Sequence, residues 1–142
     1  MKSKLVVLLA LLSLPACMAQ PLLLPRENLD YSRILLEQIN LYRMNNGLNS
    51  LRIDPVLGQL AKEHSSHMFQ RKRISHRNFD ERSDQAGSCL CVENVGWNYD
   101  SPLKLFDDWQ RSRGHNRNML KMEITRVGIA ETGKYVTFFA CR

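Results

Sequence analysis

The sequence predicts an α+β fold in which helices pack on an antiparallel sheet. Three features predict it: two segments with apolar residues at helical spacing come first, a strand-like run lies in the middle, and a hairpin closes the chain around Gly133. A chain of 142 residues with this balance, 44% hydrophobic and 24% charged, fits one folded domain.

The amino-terminal segment reads as an export signal. Lys2 and Lys4 precede an apolar run over residues 5–14 and a small-residue stretch over residues 15–19, the order of a secretory signal peptide over residues 1–19. The run is shorter than the roughly 20 residues that a membrane span needs. Cleavage after Ala19 would leave a soluble product starting at Gln20. Alternatively, Leu14, Pro15, Ala16 and Cys17 look like a bacterial lipobox, in which acylated Cys17 anchors the protein. Residues 20–29, with Pro21 and Pro25, read as an extended lead-in, and the domain is expected over residues 30–142.

The first helix is expected to start at a cap on Asp30 and to stop at Asn46 and Gly47, with Ile34, Leu35, Ile39 and Tyr42 on its core face. The second has the clearest start, with Asp54 as cap and Pro55 in the first helical position. Leu57, Leu60, Ala61, His64 and Met68 form its inward stripe, and His67 falls on the flank. His64 is expected to be a satisfied inward residue behind any site. Residues 70–88 show little periodicity and read as a long surface loop carrying His76 and the basic triplet Arg71, Lys72 and Arg73.

Residues 89–97 read as a strand, with Cys91, Glu93 and Val95 on one face and Leu90, Val92 and Asn94 on the other. A third helix is expected from Ser101 and Pro102, with Leu103, Phe106 and Trp109 inward and Gly114 closing it. One further helical turn is expected over residues 116–120. The strands 127–131 and 135–141 complete a count of three helices and three strands.

Removing the two lysines of residues 1–19 lowers the net charge from +6 to +4, which is mildly basic. The triplet Arg71, Lys72 and Arg73 has no interleaved aromatics and reads as a solvated loop, so specific nucleic-acid binding is not expected. Loose attraction to an anionic envelope stays open. In an oxidising compartment Cys141 is expected to pair with Cys89 or Cys91, leaving one thiol over. A metal site on Cys89 and Cys91 is the weaker reading, because the C-x-C spacing has no second pair.

The residues that carry chemistry are His76 in the loop, Glu93 in the strand and His115 after the helix stop. A carboxylate among apolar neighbours has to be paired, hydrogen-bonded or neutralised. Two imidazoles and a carboxylate brought together form a divalent-metal site with an open position, or an acid and base pair. Ser112 is the candidate nucleophile, although a serine near a helix end ordinarily satisfies backbone groups. No G-x-S-x-G elbow is present in the sequence.

Ordered blocks then carry a resemblance. Ile39-Asn40 with Arg43, Gly47 and Leu48 is followed by Asp54, Leu57, Leu60, Ala61, His64, Ser65 and Met68. Next come Ile74-Ser75-His76, Glu93-Asn94-Val95, Trp109 with Ser112, Gly114-His115 with Asn118-Met119-Leu120, and Val127-Gly128-Ile129. From about Asp30 to the carboxyl terminus, the chain resembles the CAP superfamily of cysteine-rich secretory, antigen 5 and pathogenesis-related proteins, in its short bacterial form. The resemblance implies a three-layer αβα sandwich with a central antiparallel sheet and a surface cleft of histidines and acids. It also implies uptake of a zinc-like divalent cation through His76 and His115, with Glu93 as the glutamate of the family's Glu-Asn pair. Where many eukaryotic members carry a second glutamate three residues after the Trp, this chain has Ser112, which lowers the expectation of hydrolysis.

The function expected is an exported, monomeric, non-enzymatic binding module. Its cleft of His76, Glu93, His115 and Ser112, backed by His64, holds a divalent cation or a ligand. Two alternatives stand beside it: a metal-assisted or Ser-dependent hydrolase of peptides or envelope material, and a lipid- or sterol-binding protein. The partner classes expected are a small lipid or an envelope component.

Overall fold

Asp54 starts the helix that organises one face of the molecule. Its backbone is extended (φ −121°, ψ 122°), and its carboxylate accepts from the amides of Val56 and Leu57 ahead of Pro55. Those bonds and the Arg126 guanidinium hold its carboxyl below the usual carboxylate range.

The computed structural model describes residues 26–142, with side chains from Tyr31 onward. The elements are α1 (Arg26–Asn45), β1 (Arg52–Ile53), α2 (Pro55–Arg71), α3 (Phe79–Gln85), β2 (Cys91–Trp97), α4 (Pro102–Arg111), α5 (Arg113–Met119), β3 (Arg126–Thr132) and β4 (Tyr135–Cys141). The export signal of residues 1–19, acylation of Cys17 and residues 20–25 of the lead-in lie outside the described residues. No helix among the described residues is long and apolar enough to cross a membrane.

The sheet order is β1-β3-β4-β2. β4 pairs antiparallel with β3 and β2, while the two-residue β1 runs parallel to β3 at the far edge. The hairpin turns on Gly133 and Lys134, whose φ values of 54° and 68° are those of a two-residue turn with both residues left-handed. Alternation along β4 splits the core in two. Val136, Phe138 and Ala140 face Leu35, Ile39, Leu105, Phe106 and Trp109 of α1 and α4, while Phe139 and Cys141 face Leu57, Leu60 and Ala61 of α2. The result is an αβα sandwich. α2 rides directly on β3: a Cβ at Gly128 would lie 2.1 Å from the Leu57 carbonyl, so only glycine fits there.

Several sequence expectations are corrected. α1 starts at Arg26 rather than at a cap on Asp30, so residues 26–29 of the expected lead-in are helical. The polar stretch read as loop contains α3, which buries Arg82 in place of an apolar stripe. Leu103 is exposed and Leu105 takes its inward place beside Phe106 and Trp109. α4 ends at Ser112, not at Gly114, because Gly114 lies within α5 together with His115. The described residues therefore hold five helices and four strands. Cys141 pairs with Cys91, directly opposite it in the β2–β4 register, and among the described residues Cys89 is the exposed free thiol. The bridge consumes the Cys91 sulfur, which removes the metal reading of Cys89 and Cys91.

Candidate functional site

β2 is the edge strand opposite β1, and its alternating side chains reach into both helical layers. Glu93 points to the α2 and α3 side, where its side chain is 2% exposed. Nε and Nη2 of Arg82 both donate to Glu93 Oε2, at 3.0 and 2.6 Å. The ring of His76 contacts Oε1 through Nδ1 at 2.9 Å. A carboxylate only accepts, so Nδ1 of His76 carries a proton, and Nε2 is the ring nitrogen not engaged with Glu93.

His64 completes this cluster from α2. Its Nε2 lies 2.6 Å from the Ser75 carbonyl and 3.6 Å from Glu93 Oε1. The carbonyl can only accept, so Nε2 donates to Ser75. Burial lowers the His64 pKa, with the Glu93 charge opposing, so the neutral ring is favoured. The contact with Glu93 is then that of a ring dipole rather than an ion pair.

On the opposite side of β2, Asn94 Nδ2 donates to the His115 carbonyl at 3.1 Å, and Asn118 Nδ2 donates to the Glu93 carbonyl at 3.0 Å. These bonds satisfy part of the edge strand and moor α5 against it. His115 is half-buried against the Trp109 ring, with centroids 6.0 Å apart. Burial first, and the neighbouring His76 second, lower its pKa and favour the neutral imidazole. His76 is thus tied to Glu93 on one side of the edge strand, while α5, which carries His115, is moored on the other.

Ser112 sits between α4 and α5, where its amide donates to the Asp108 carbonyl and its carbonyl accepts from the Asn116 amide. Its hydroxyl makes no capping bond, and among the described residues no hydrogen bond joins it to His115 or Glu93. Among the described residues no hydrogen bond or ion pair joins His67 to Glu93, and His67 lines hollows beside α2. Among the described residues, no group of three His, Cys, Asp or Glu side chains is arranged to hold a metal ion. The arrangement offers the His115 imidazole, favoured neutral by burial, and the His76 ring held on a carboxylate whose oxygens are already engaged. Arg82 is the central residue that the sequence reading missed. Its signal was available in Asp80 and Glu81, acids at the amino end of a short helix, with Arg82 one turn from the Asn78 cap.

Comparisons with known proteins agree with this architecture. The model of the cysteine-rich secretory protein family, CAP, matches residues 36–141. Two proteins of Bacillus subtilis (strain 168) are similar. The uncharacterized membrane protein YlbC is 27% identical over 115 residues, covering 72% of this chain and 32% of that protein. The uncharacterized protein YkwD is 26% identical over 106 residues, covering 70% and 41%. The chain spans less than half the length of these curated relatives. Among solved structures, an extracellular protein containing an SCP domain from Bacillus anthracis superposes with a TM-score of 0.76 at 21% identity, over 81% of this chain and 41% of that one. An outer surface protein from Borrelia burgdorferi superposes with a TM-score of 0.70 at 22% identity, over 80% and 93%. At these identities the likeness establishes a shared fold.

Proposed function

The chain belongs to the cysteine-rich secretory protein family, and on that premise we propose that it is an exported, non-enzymatic binding module whose cleft takes a divalent cation or a ligand through His76 and His115. One observation carries this reading: Glu93 holds Nδ1 of His76, which fixes the tautomer and leaves Nε2 for a ligand. Burial favours the neutral form of His115, the state that ligates.

The donor set suits a zinc-like ion held by two imidazole nitrogens. The engaged oxygens of Glu93 leave the remaining positions to solvent or to an incoming ligand. When bound, such an ion would act as a Lewis acid at those open positions. The hydrolase alternative is less favoured, because Ser112 has no hydrogen-bonded base and Glu93 is committed to Arg82 and His76. A lipid-binding alternative draws on a different observation. A groove of about 400 Å³ lined by Leu36, Ile53, Val127 and Ile129 lies at the opposite sheet edge.

Calorimetric titration of the mature chain with zinc tests the proposal, beside a His76→Ala, His115→Ala variant of confirmed fold. The expected result is one saturable site in the parent and none in the variant. Equal heats in both proteins would overturn it.

A further inference from the structure

From the structure we infer a second binding site, for a phosphoryl anion, in the hollow between the carboxyl end of α2 and the segment that follows it. This hollow, about 470 Å³, is lined by His67, Arg71, Arg73, Ser75 and Arg77. Three of its five lining residues are arginines and none is an acid. In the described structure Arg71, Arg73 and Arg77 form no salt bridge, whereas Arg33, Arg82, Arg111 and Arg126 each pair with a carboxylate. Glu63 and Glu81 line the adjoining hollow, which shares His67 and Arg77 with this one.

The backbone that presents these guanidiniums is fastened at several points. Lys72 is left-handed (φ 50°) and turns the chain out of α2, and the Arg73 amide donates to the Met68 carbonyl at 3.1 Å. His64 donates to the Ser75 carbonyl at 2.6 Å, and Arg82 Nη1 donates to the Arg77 carbonyl at 2.7 Å. The buried Glu93 cluster therefore holds the wall of the neighbouring hollow. The Ser75 hydroxyl accepts from the Arg77 amide at 2.9 Å, which leaves its proton free to donate.

Three like charges gathered without a counter-ion repel one another, and a multiply charged anion relieves that repulsion as it binds. Guanidinium forks match the tetrahedral oxygens of a phosphoryl group, and several of them favour a dianion over a single carboxylate. The source is either the headgroup phosphate of an anionic lipid or a free phosphoryl compound. The triplet that reads as solvated loop in sequence is thus divided: Arg71 and Arg73 join Arg77, and Lys72 serves the turn.

The test uses the mature chain at low ionic strength with EDTA present, so that no metal bridges the anion. One arm titrates inorganic pyrophosphate by calorimetry, and the other sediments the protein with vesicles of phosphatidylglycerol and phosphatidylcholine. An Arg71→Gln, Arg73→Gln, Arg77→Gln variant is compared with a control of equal charge loss, Arg52→Gln, Lys104→Gln, Arg113→Gln. Among the described residues these six side chains make no ion pair or hydrogen bond, so both variants should fold, which circular dichroism checks. Saturable binding in either arm that falls at least about tenfold in the first variant, and stays near parent level in the control, supports the site. Binding confined to vesicles assigns it to lipid headgroups, and pyrophosphate binding assigns it to free phosphoryl compounds. Absence of binding in both arms, or equal losses in the two variants, would overturn it.

Discussion

Among the described residues two guanidiniums are buried, Arg43 with no exposed surface and Arg82 at 7%, and they are satisfied in opposite ways. Arg43 has no carboxylate. Its nitrogens donate to the carbonyls of Asn49, Met119, Lys121 and Ile124 and to the Asn49 side chain. Those partners lie in the connection after α1, at the last residue of α5 and in the connection that follows it, so one side chain fixes the course of two distant segments. Arg82 instead spends two donors on Glu93, which leaves the second carboxylate oxygen for His76. A carbonyl cage around a cation builds scaffold. A cation on a carboxylate leaves an acceptor over, and His76 is held on that acceptor.

Substitution should separate the two roles. Arg43→Leu is expected to do the most damage, because several buried carbonyls lose their donor at about 1–3 kcal/mol each. A loss of about 4 kcal/mol or more in urea unfolding is the expected outcome, and a change below about 1 kcal/mol would show that the cage is dispensable. Glu93→Gln is expected to cost about 3 kcal/mol by stranding Arg82 without a counter-charge, and to weaken zinc uptake as His76 loses its anchor. An Arg82→Met, Glu93→Leu pair should cost less than the Glu93 change alone, since no buried charge is left unpaired. If the pair costs more, Arg82 is a cage like Arg43, and the contrast fails.

The smallest effect concerns pH. Both His64 and His115 have pKa values below the ordinary 6.5, so the folded state favours their neutral forms. Depressed values contribute stability that is complete above the unfolded value and lost as pH falls through the folded ones. The melting temperature should therefore decline from pH 7 towards pH 5, and zinc binding should weaken over the same range. A His115→Gln variant should decline less steeply than the parent, and an identical slope would place the linkage elsewhere.

Much of the fold was legible in the sequence because local signals and burial coincide. Asp54 and Pro55 mark α2, Gly133 marks the hairpin, and alternation along β2 assigns Glu93 to the face of Cys91 and Val95. The chemistry of a buried carboxylate also singled out Glu93. What escaped has physical causes. α3 buries a charged side chain rather than an apolar stripe, so periodicity does not reveal it. Gly114 reads as a stop, yet its φ is not left-handed and it continues into α5. β1 is two residues long, too short for any pattern. Nor could spacing bring Arg77 beside Arg71, since that depends on the hydrogen bonds that fasten Ser75 and Arg77.

The bridge from Cys91 to Cys141 spans 50 positions and encloses β2, α4, α5, β3 and β4 in one covalent ring. A protease that cuts the chain once anywhere inside that ring opens it without releasing a fragment. The halves of the sheet stay tethered through sulfur, and β4, the strand shared by both neighbours, cannot diffuse away. For a protein of an extracellular type, a single nick on α4 or α5 is then survivable. Reduction of one bond converts the same nick into dissociation.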